Sequence, residues 1–173
     1  VSYLGSGRRA ASRRAPVRPF EHPTHVGDAM QALVKYGTQP DQIELRELPQ
    51  PTIGDDEVLL AVEATGICGT DLHIIAGEYP CWPPVVLGHE FVGRIVEVGR
   101  HVQDYAVGDR VASLPYARYC GVCRHCRNGE YGQCDQRRSY GSGVNGGFAE
   151  YMAVRSSGLY RLPETVDFVA GSM

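Results

Sequence analysis

Apolar and polar residues alternate most strongly between Glu57 and Thr65, where Val58, Leu60, Val62 and Ala64 fall on one side of an extended chain. The same period of two predicts strands over 30–37, over 42–48 with Ile43 and Leu45, and over 91–99, a stretch rich in Val and Ile. Shorter strand candidates lie at 109–114 and 148–154, and Pro49, Pro51 and Gly54 mark a turn before the strongest strand. Only 69–76 reads as a short helix. Strands at regular spacing, separated by Gly- and Cys-rich loops, predict a mainly β sandwich or barrel with short helices rather than alternating β-α units. No internal repeat is visible.

Composition narrows this picture. The 173 residues (18.9 kDa) suit one domain with a real core, and 43% hydrophobic with 21% charged residues is ordinary for a globular chain. No apolar run approaches the roughly 18 residues of a transmembrane helix. A net charge of -3 lends no support to a nucleic-acid-binding surface. The first 29 residues differ from the rest. They carry Arg8, Arg9, Arg13, Arg14 and Arg18 against Glu21 and Asp28, are broken by Pro16, Pro19 and Pro23, and show no periodicity. Removing them leaves 12 basic and 18 acidic residues. Residues 1–29 are therefore expected to be a disordered basic extension, without the apolar segment of a secretory signal. Val1 opens the chain, Met30 opens a clean strand pattern, and Arg outnumbers Lys 16 to 1, as GC-rich coding produces. The working protein is thus expected to begin near Met30, with 1–29 read from an upstream start; an organellar transit peptide is the alternative.

Four of the six cysteines, Cys120, Cys123, Cys126 and Cys134, read C-x2-C-x2-C-x7-C. Four thiolates so close in sequence can wrap one tetrahedral Zn²⁺ and leave no open position, so the site is structural. Such sites contribute about 10–16 kcal/mol to the folding of zinc-finger peptides. Arg118, Arg124, His125 and Arg127 are placed to offset the excess negative charge of the four thiolates. Disulfides form the first competing reading, without a secretion signal to favour them. An iron–sulfur cluster is the second, although the ferredoxin run continues x3-C-P where this chain has a gap of seven followed by Asp135. A second constellation follows the strongest strand: Cys68, Thr70, Asp71 and His73, then His89-Glu90 twenty-one residues after Cys68. Cys, His and a carboxylate make a mixed donor set that leaves room for water or substrate on a metal. The bland alternative is a His–Glu hydrogen-bonded pair.

From Met30 onward the residues resemble the zinc-containing medium-chain alcohol and polyol dehydrogenases, most of all the sorbitol/iditol, threonine and butanediol dehydrogenase branch. The resemblance rests on GICGTDLH (66–73), on GHEFVGRIVEVG (88–99), which fits G-H-E-x2-G-x5-G, on VGDRV (107–111), on the cysteine lobe, on GGFAEYMAV (146–154) and on RLPETVDF (161–168). It implies a GroES-like barrel over 30–173 with a structural-zinc lobe at 113–140. It implies Cys68, His89 and Glu90 as ligands of a catalytic zinc, with Asp71 holding the other ring nitrogen of His89. Thr70 would bond the substrate hydroxyl, and His73 would pass its proton towards solvent. The implied activity is oxidation of the CH–OH group of an alcohol or polyol, with NAD or NADP accepting the hydride. The implied setting is cytoplasmic and homo-oligomeric, with a small-molecule substrate and neither nucleic acid nor membrane as partner.

The resemblance also implies a nucleotide-binding Rossmann domain after the barrel, and the chain stops at Met173 before one. Two stretches fit the glycine fingerprint, 5–10 and 141–146, but neither sits between a strand and a helix, and both are expected to be flexible loops. The expectation is an N-terminal fragment, from truncation or frameshift, inactive on its own. The alternative reading is a zinc-binding domain without catalysis. Among smaller features, Cys81 is expected to be a buried or loop thiol. Tyr79, Trp82, Pro83 and Pro84 are expected to pack rather than contact substrate, His101 to face solvent, and Arg137 and Arg138 to form a solvated face.

Overall fold

The computed structural model describes residues 29–173; the extension expected over 1–29 lies, but for Ala29, outside the described residues. Ten strands and three short α-helices follow in order: β1 (Ala29–Lys35), β2 (Ile43–Pro49), β3 (Glu57–Gly66), α1 (Gly69–Ile75), β4 (Val85–Val86), β5 (Glu90–Val98), β6 (Arg110–Ser113), β7 (Tyr116–Arg118), α2 (Arg124–Arg127), β8 (Arg138–Ser139), β9 (Tyr151–Arg155), β10 (Leu159–Arg161) and α3 (Phe168–Gly171). Every strand expected from alternation is present, its ends moved by at most three residues. Strands β4, β7, β8 and β10 are additional, as are α2 and α3, so 69–76 does not hold the only helix. None of these added elements exceeds four residues, too short to display a period.

A three-stranded sheet runs β2-β1-β4, and a five-stranded sheet runs β10-β6-β5-β3-β9. Strands β7 and β8 form a separate ribbon beside the cysteines. All the named strand pairs are antiparallel. The segment before β9 joins the larger sheets: Leu33 N–H donates to Phe148 O at 2.8 Å, and Val62 N–H donates to Glu150 O at 2.9 Å.

Burial corrects the one-sided reading of β3. Val58 and Leu60 enter a cluster with Phe91, Ile95, Val111 and Met152. Leu59 and Ala61 enter another with Met30 and Tyr151. The strand is central and covered on both faces, so alternation identified the strand but not its second apolar face. A third cluster, Ile74, Val85 and Leu87, packs α1 against the strand that leads to His89. Among the described residues no helix is long and apolar enough to cross a membrane.

Candidate active site and metal centres

Strand β3 ends at Gly66, and the chain turns at once into α1, with Cys68 as its N-cap. A seven-residue helix is marginal by itself. Its start is secured by Asp71, whose Oδ2 accepts the Cys68 N–H at 3.0 Å, while Ile74 is buried beneath it. Cys68, Thr70 and Asp71 thereby share the first turn. The other half of the constellation comes from the passage between β4 and β5. Gly88 adopts φ +89, and a Cβ there would press into Phe148 at 2.7 Å. A Cβ on Gly146 would lie 1.9 Å from Gly88 O. These two glycines let the chain fold tightly just before His89 and Glu90. This corrects the expectation for 141–146, which is a packed turn with Gly141, Ser142 and Gly146 buried, and not a flexible loop. The other fingerprint, 5–10, lies outside the described residues.

Cys68 Sγ, a His89 ring nitrogen and a Glu90 carboxylate oxygen all fall within 4.8 Å of one another. Behind them Asp71 is fully buried, its Oδ1 3.4 Å from His89 Nδ1 and without another hydrogen-bond partner. With Nδ1 turned to the carboxylate, Nε2 is left for the Cys68 side. The Asp71 carboxylate raises the His89 pKa to about 9, against the opposing effect of burial. Hydrogen bonds from the Thr70 backbone and hydroxyl, followed by one from His89, lower the Cys68 pKa. Thr70 Oγ1 lies 3.7 Å from Cys68 Sγ. His73, on the same helix, is exposed, and its Nδ1 is 2.7 Å from Glu78 Oε2. Glu78 is a partner that motif reading passed over; its signal was a carboxylate five residues beyond His73.

The cysteine lobe gathers Cys120, Cys123, Cys126 and Cys134, with their sulfurs again within 4.8 Å of one another. Cys120 and Cys126 are 3.9 Å apart. That spacing is near the roughly 3.8 Å edge of a tetrahedron with Zn–S bonds of about 2.3 Å, and far from the roughly 2.05 Å of a disulfide. Backbone N–H groups point at the sulfurs: Cys123 N donates to Cys120 Sγ at 3.3 Å, and Cys126 N donates to Cys123 Sγ at 3.5 Å. With protein groups alone, the N–H groups of Val122 and Cys123 pull Cys120 down to about 6, while burial pushes Cys126 up to about 12. Four sulfurs this close ionise together only around a cation. Both donor sets therefore fit a zinc ion by ligand type and spacing. His125, expected to help offset the lobe's charge, has its Nδ1 2.8 Å from Glu130 Oε2.

The sequence pattern of the alcohol dehydrogenase GroES-like domain matches residues 54–164. The chain belongs to this family. A sorbitol dehydrogenase from Halalkalibacterium halodurans is 42% identical over 144 residues, 83% of this chain and 42% of its own length. A protein from Sinorhizobium meliloti 1021, named as a zinc-binding dehydrogenase and solved bound to NADP, superposes with a TM-score of 0.78 at 41% identity, covering 84% of this chain and 42% of its own. Galactitol-1-phosphate dehydrogenase from Escherichia coli superposes with a TM-score of 0.75 at 35% identity, covering 83% of this chain and 42% of its own. The chain thus spans about two fifths of the length of the relatives it matches.

The remaining candidates divide. Cys81 joins neither donor set, and burial pushes its thiol up. His101 is exposed as expected, with its ring 3.2 Å from Asp56. Arg137 is exposed as expected, and the half-buried Arg138 lays its guanidinium 4.4 Å from the ring centre of Trp82; Tyr79 and Trp82, expected to pack, are both exposed.

Proposed function

We propose that residues 30–173 form the zinc-bearing domain, with its lobe at 113–140, of an NAD(P)-dependent dehydrogenase acting on the CH–OH group of an alcohol or polyol. The observation that carries this reading is the convergence of Cys68, His89 and Glu90 in front of a buried carboxylate, Asp71. The alternative, a zinc-binding domain without catalysis, leaves Thr70 and His73 without a task.

In this reading Cys68 and His89 would hold the catalytic ion, with Glu90 as third ligand or as a carboxylate exchanging with water. Zinc bound there supplies Lewis acidity, which lowers the pKa of a substrate hydroxyl. The chain's own residues do the rest. Asp71 fixes the His89 ring and its tautomer through Nδ1 and holds the first turn of α1 through the Cys68 N–H. The Thr70 hydroxyl, beside Cys68, accepts the substrate proton while donating its own. His73, exposed and paired with Glu78, delivers that proton to solvent. Cys120, Cys123, Cys126 and Cys134 would hold a second, structural ion. The hydride acceptor is a nicotinamide dinucleotide, as the NADP bound by the Sinorhizobium relative supports. The all-antiparallel named strand pairs offer no parallel-strand crevice for it among the described residues. The proposed partner is a small alcohol or polyol, as the named relatives' substrates support, and the proposed location is the cytoplasm.

The test has two parts. Metal analysis of the purified chain should find two zinc ions, with one lost in Cys68→Ser and the other in Cys126→Ser. Alcohol-dependent reduction of NAD or NADP by the full-length protein should then disappear in Cys68→Ser. Turnover that survives removal of the Cys68 thiolate overturns the assignment.

A further inference from the structure

Lys35 is the chain's only lysine, and it is fully buried at the end of β1. Its Nζ donates to Gln39 O at 2.6 Å and to Ile75 O at 3.0 Å. Neither partner is a carboxylate. Among the described residues its hydrogen-bond partners are these carbonyls, and a buried amine held in that way is costly, while an aliphatic side chain of similar size often serves stability as well. The role of this amine lies in what it connects.

Ile75 is the last residue of α1, where the final carbonyls of a helix lack partners within it. The carbonyls of Leu72, His73 and Ile74 are taken by local N–H groups, from Ala76, from Glu78 and Tyr79, and from Gly77. Ile75 O alone is taken from across the fold, by Lys35 Nζ and by the Asp41 N–H of the β1–β2 turn at 3.0 Å. A cation at this end also suits the helix dipole. The side chain of Lys35 thus ties the sheet to the helix that carries Cys68, Thr70 and Asp71. Its backbone does the same for the other half of the site. Lys35 pairs with Val85 and Val34 pairs with Val86 on β4, and Leu87 N–H donates to Leu33 O at 3.1 Å, two residues before His89. One residue therefore joins both segments that must meet at the metal.

We propose that Lys35 is a positioning residue that sets the spacing between Cys68 and His89. The proposal rests on the reading of Cys68, His89 and Glu90 as a metal site. It is tested with cobalt(II) in place of zinc, because a four-thiolate site and a one-thiolate site give separate absorption bands. In the full chain, Lys35→Met should shift the bands of the mixed site and speed transfer of its cobalt to EDTA by about tenfold or more. The four-cysteine bands and their rate should stay as in the parent. Unchanged mixed-site bands and rate overturn the proposal. Equal acceleration at both sites also overturns it, because that is general loosening of the fold. Failure of the parent chain to load cobalt at the mixed site overturns the metal reading itself and the proposal with it. If Lys35→Met does not fold, Lys35→Gln carries the test with the same outcomes, since its amide falls about one bond short of Ile75 O.

Discussion

Asp71 does two things with one buried carboxylate: Oδ2 holds the Cys68 N–H, and Oδ1 faces His89 Nδ1. Asp71→Asn separates them. The amide oxygen can still accept from Cys68, but its NH2 then meets the N–H of the ring. Zinc affinity at the mixed site should fall by about 10–100-fold, while the lobe keeps its ion; competition with a chelator measures both. Tyr140 gives a prediction with a pH sign. It is buried, its hydroxyl accepts the Arg155 N–H at 3.1 Å, and burial pushes its pKa up to about 12 despite that bond. A phenol that stays neutral in the fold but ionises at about pH 10 when unfolded stabilises the protein below pH 10. That contribution is lost as pH rises from 10 through 12, by up to roughly 1.4 kcal/mol per pH unit. Urea unfolding of Tyr140→Phe should be less steeply pH-dependent in this window than that of the parent. The two residues differ in how far the sequence announces them. Asp71 is announced by its place between Cys68 and His73. Tyr140 and Lys35 sit in no chemical motif, and their burial follows from contacts that spacing does not encode.

The cysteine lobe is built from the least self-sufficient elements in the fold. It has a two-stranded ribbon, a one-turn helix at Arg124–Arg127 and a 3-10 turn at Tyr131–Gln133. From the lobe only Ala117 and Tyr140 reach the large core cluster. Isolated two-stranded ribbons and single helical turns are marginal in water. Cys126→Ser should therefore release the lobe's metal and abolish amide protection from 120 to 134, while β3 and β5 stay protected; hydrogen exchange read by mass spectrometry separates the two. Loss of protection across the whole sheet would mean that the lobe supports the barrel. The proposed zinc ligands of this region were legible because C-x2-C-x2-C-x7-C needs no fold to be recognised. The elements holding them were not, since two- to four-residue segments carry no period, and β7 pairs with β8 across a loop of about twenty residues whose length only the cysteines explain. In contrast, β1, β2, β3 and β5, each seven residues or longer, were legible, and the shorter β6 and β9 were legible as the candidates 109–114 and 148–154. The second apolar face of β3 was missed because alternation reports one covered side.

At the scale of the molecule, the chain's last described residues are held against the strand ends that carry the site, and Arg110 does much of the holding. Its side chain is buried, with Nη1 donating to Pro163 O at 3.0 Å and Nη2 donating to Val166 O at 2.5 Å. Its guanidinium lies 4.5 Å from the ring centre of Phe168, and that of Arg94 lies 5.3 Å from the same ring. The segment beyond Phe168 then brings Ser172 O to the approach where Gly66 and Glu90 pair: a Cβ on Gly66 would lie 3.0 Å from Ser172 O and 2.6 Å from Glu90 Oε2. Arg110→Met keeps the apolar stem but takes the guanidinium from both carbonyls, leaving Pro163 O with the Val166 N–H at 3.0 Å and Val166 O without that donor, which costs about 1–3 kcal/mol. If the guanidinium is what holds the segment down, the loss should be local. Amides of Gly171 and Ser172, which now bond to Asp167 O and Val169 O, should exchange faster by one to two orders of magnitude, as that cost converts at about 1.4 kcal/mol per tenfold. Val92 and Ile95, in the centre of the five-stranded sheet, should lose clearly less protection than these two amides. A uniform loss at all four amides would instead make Arg110 part of the core and the end of the chain a passive passenger on the barrel.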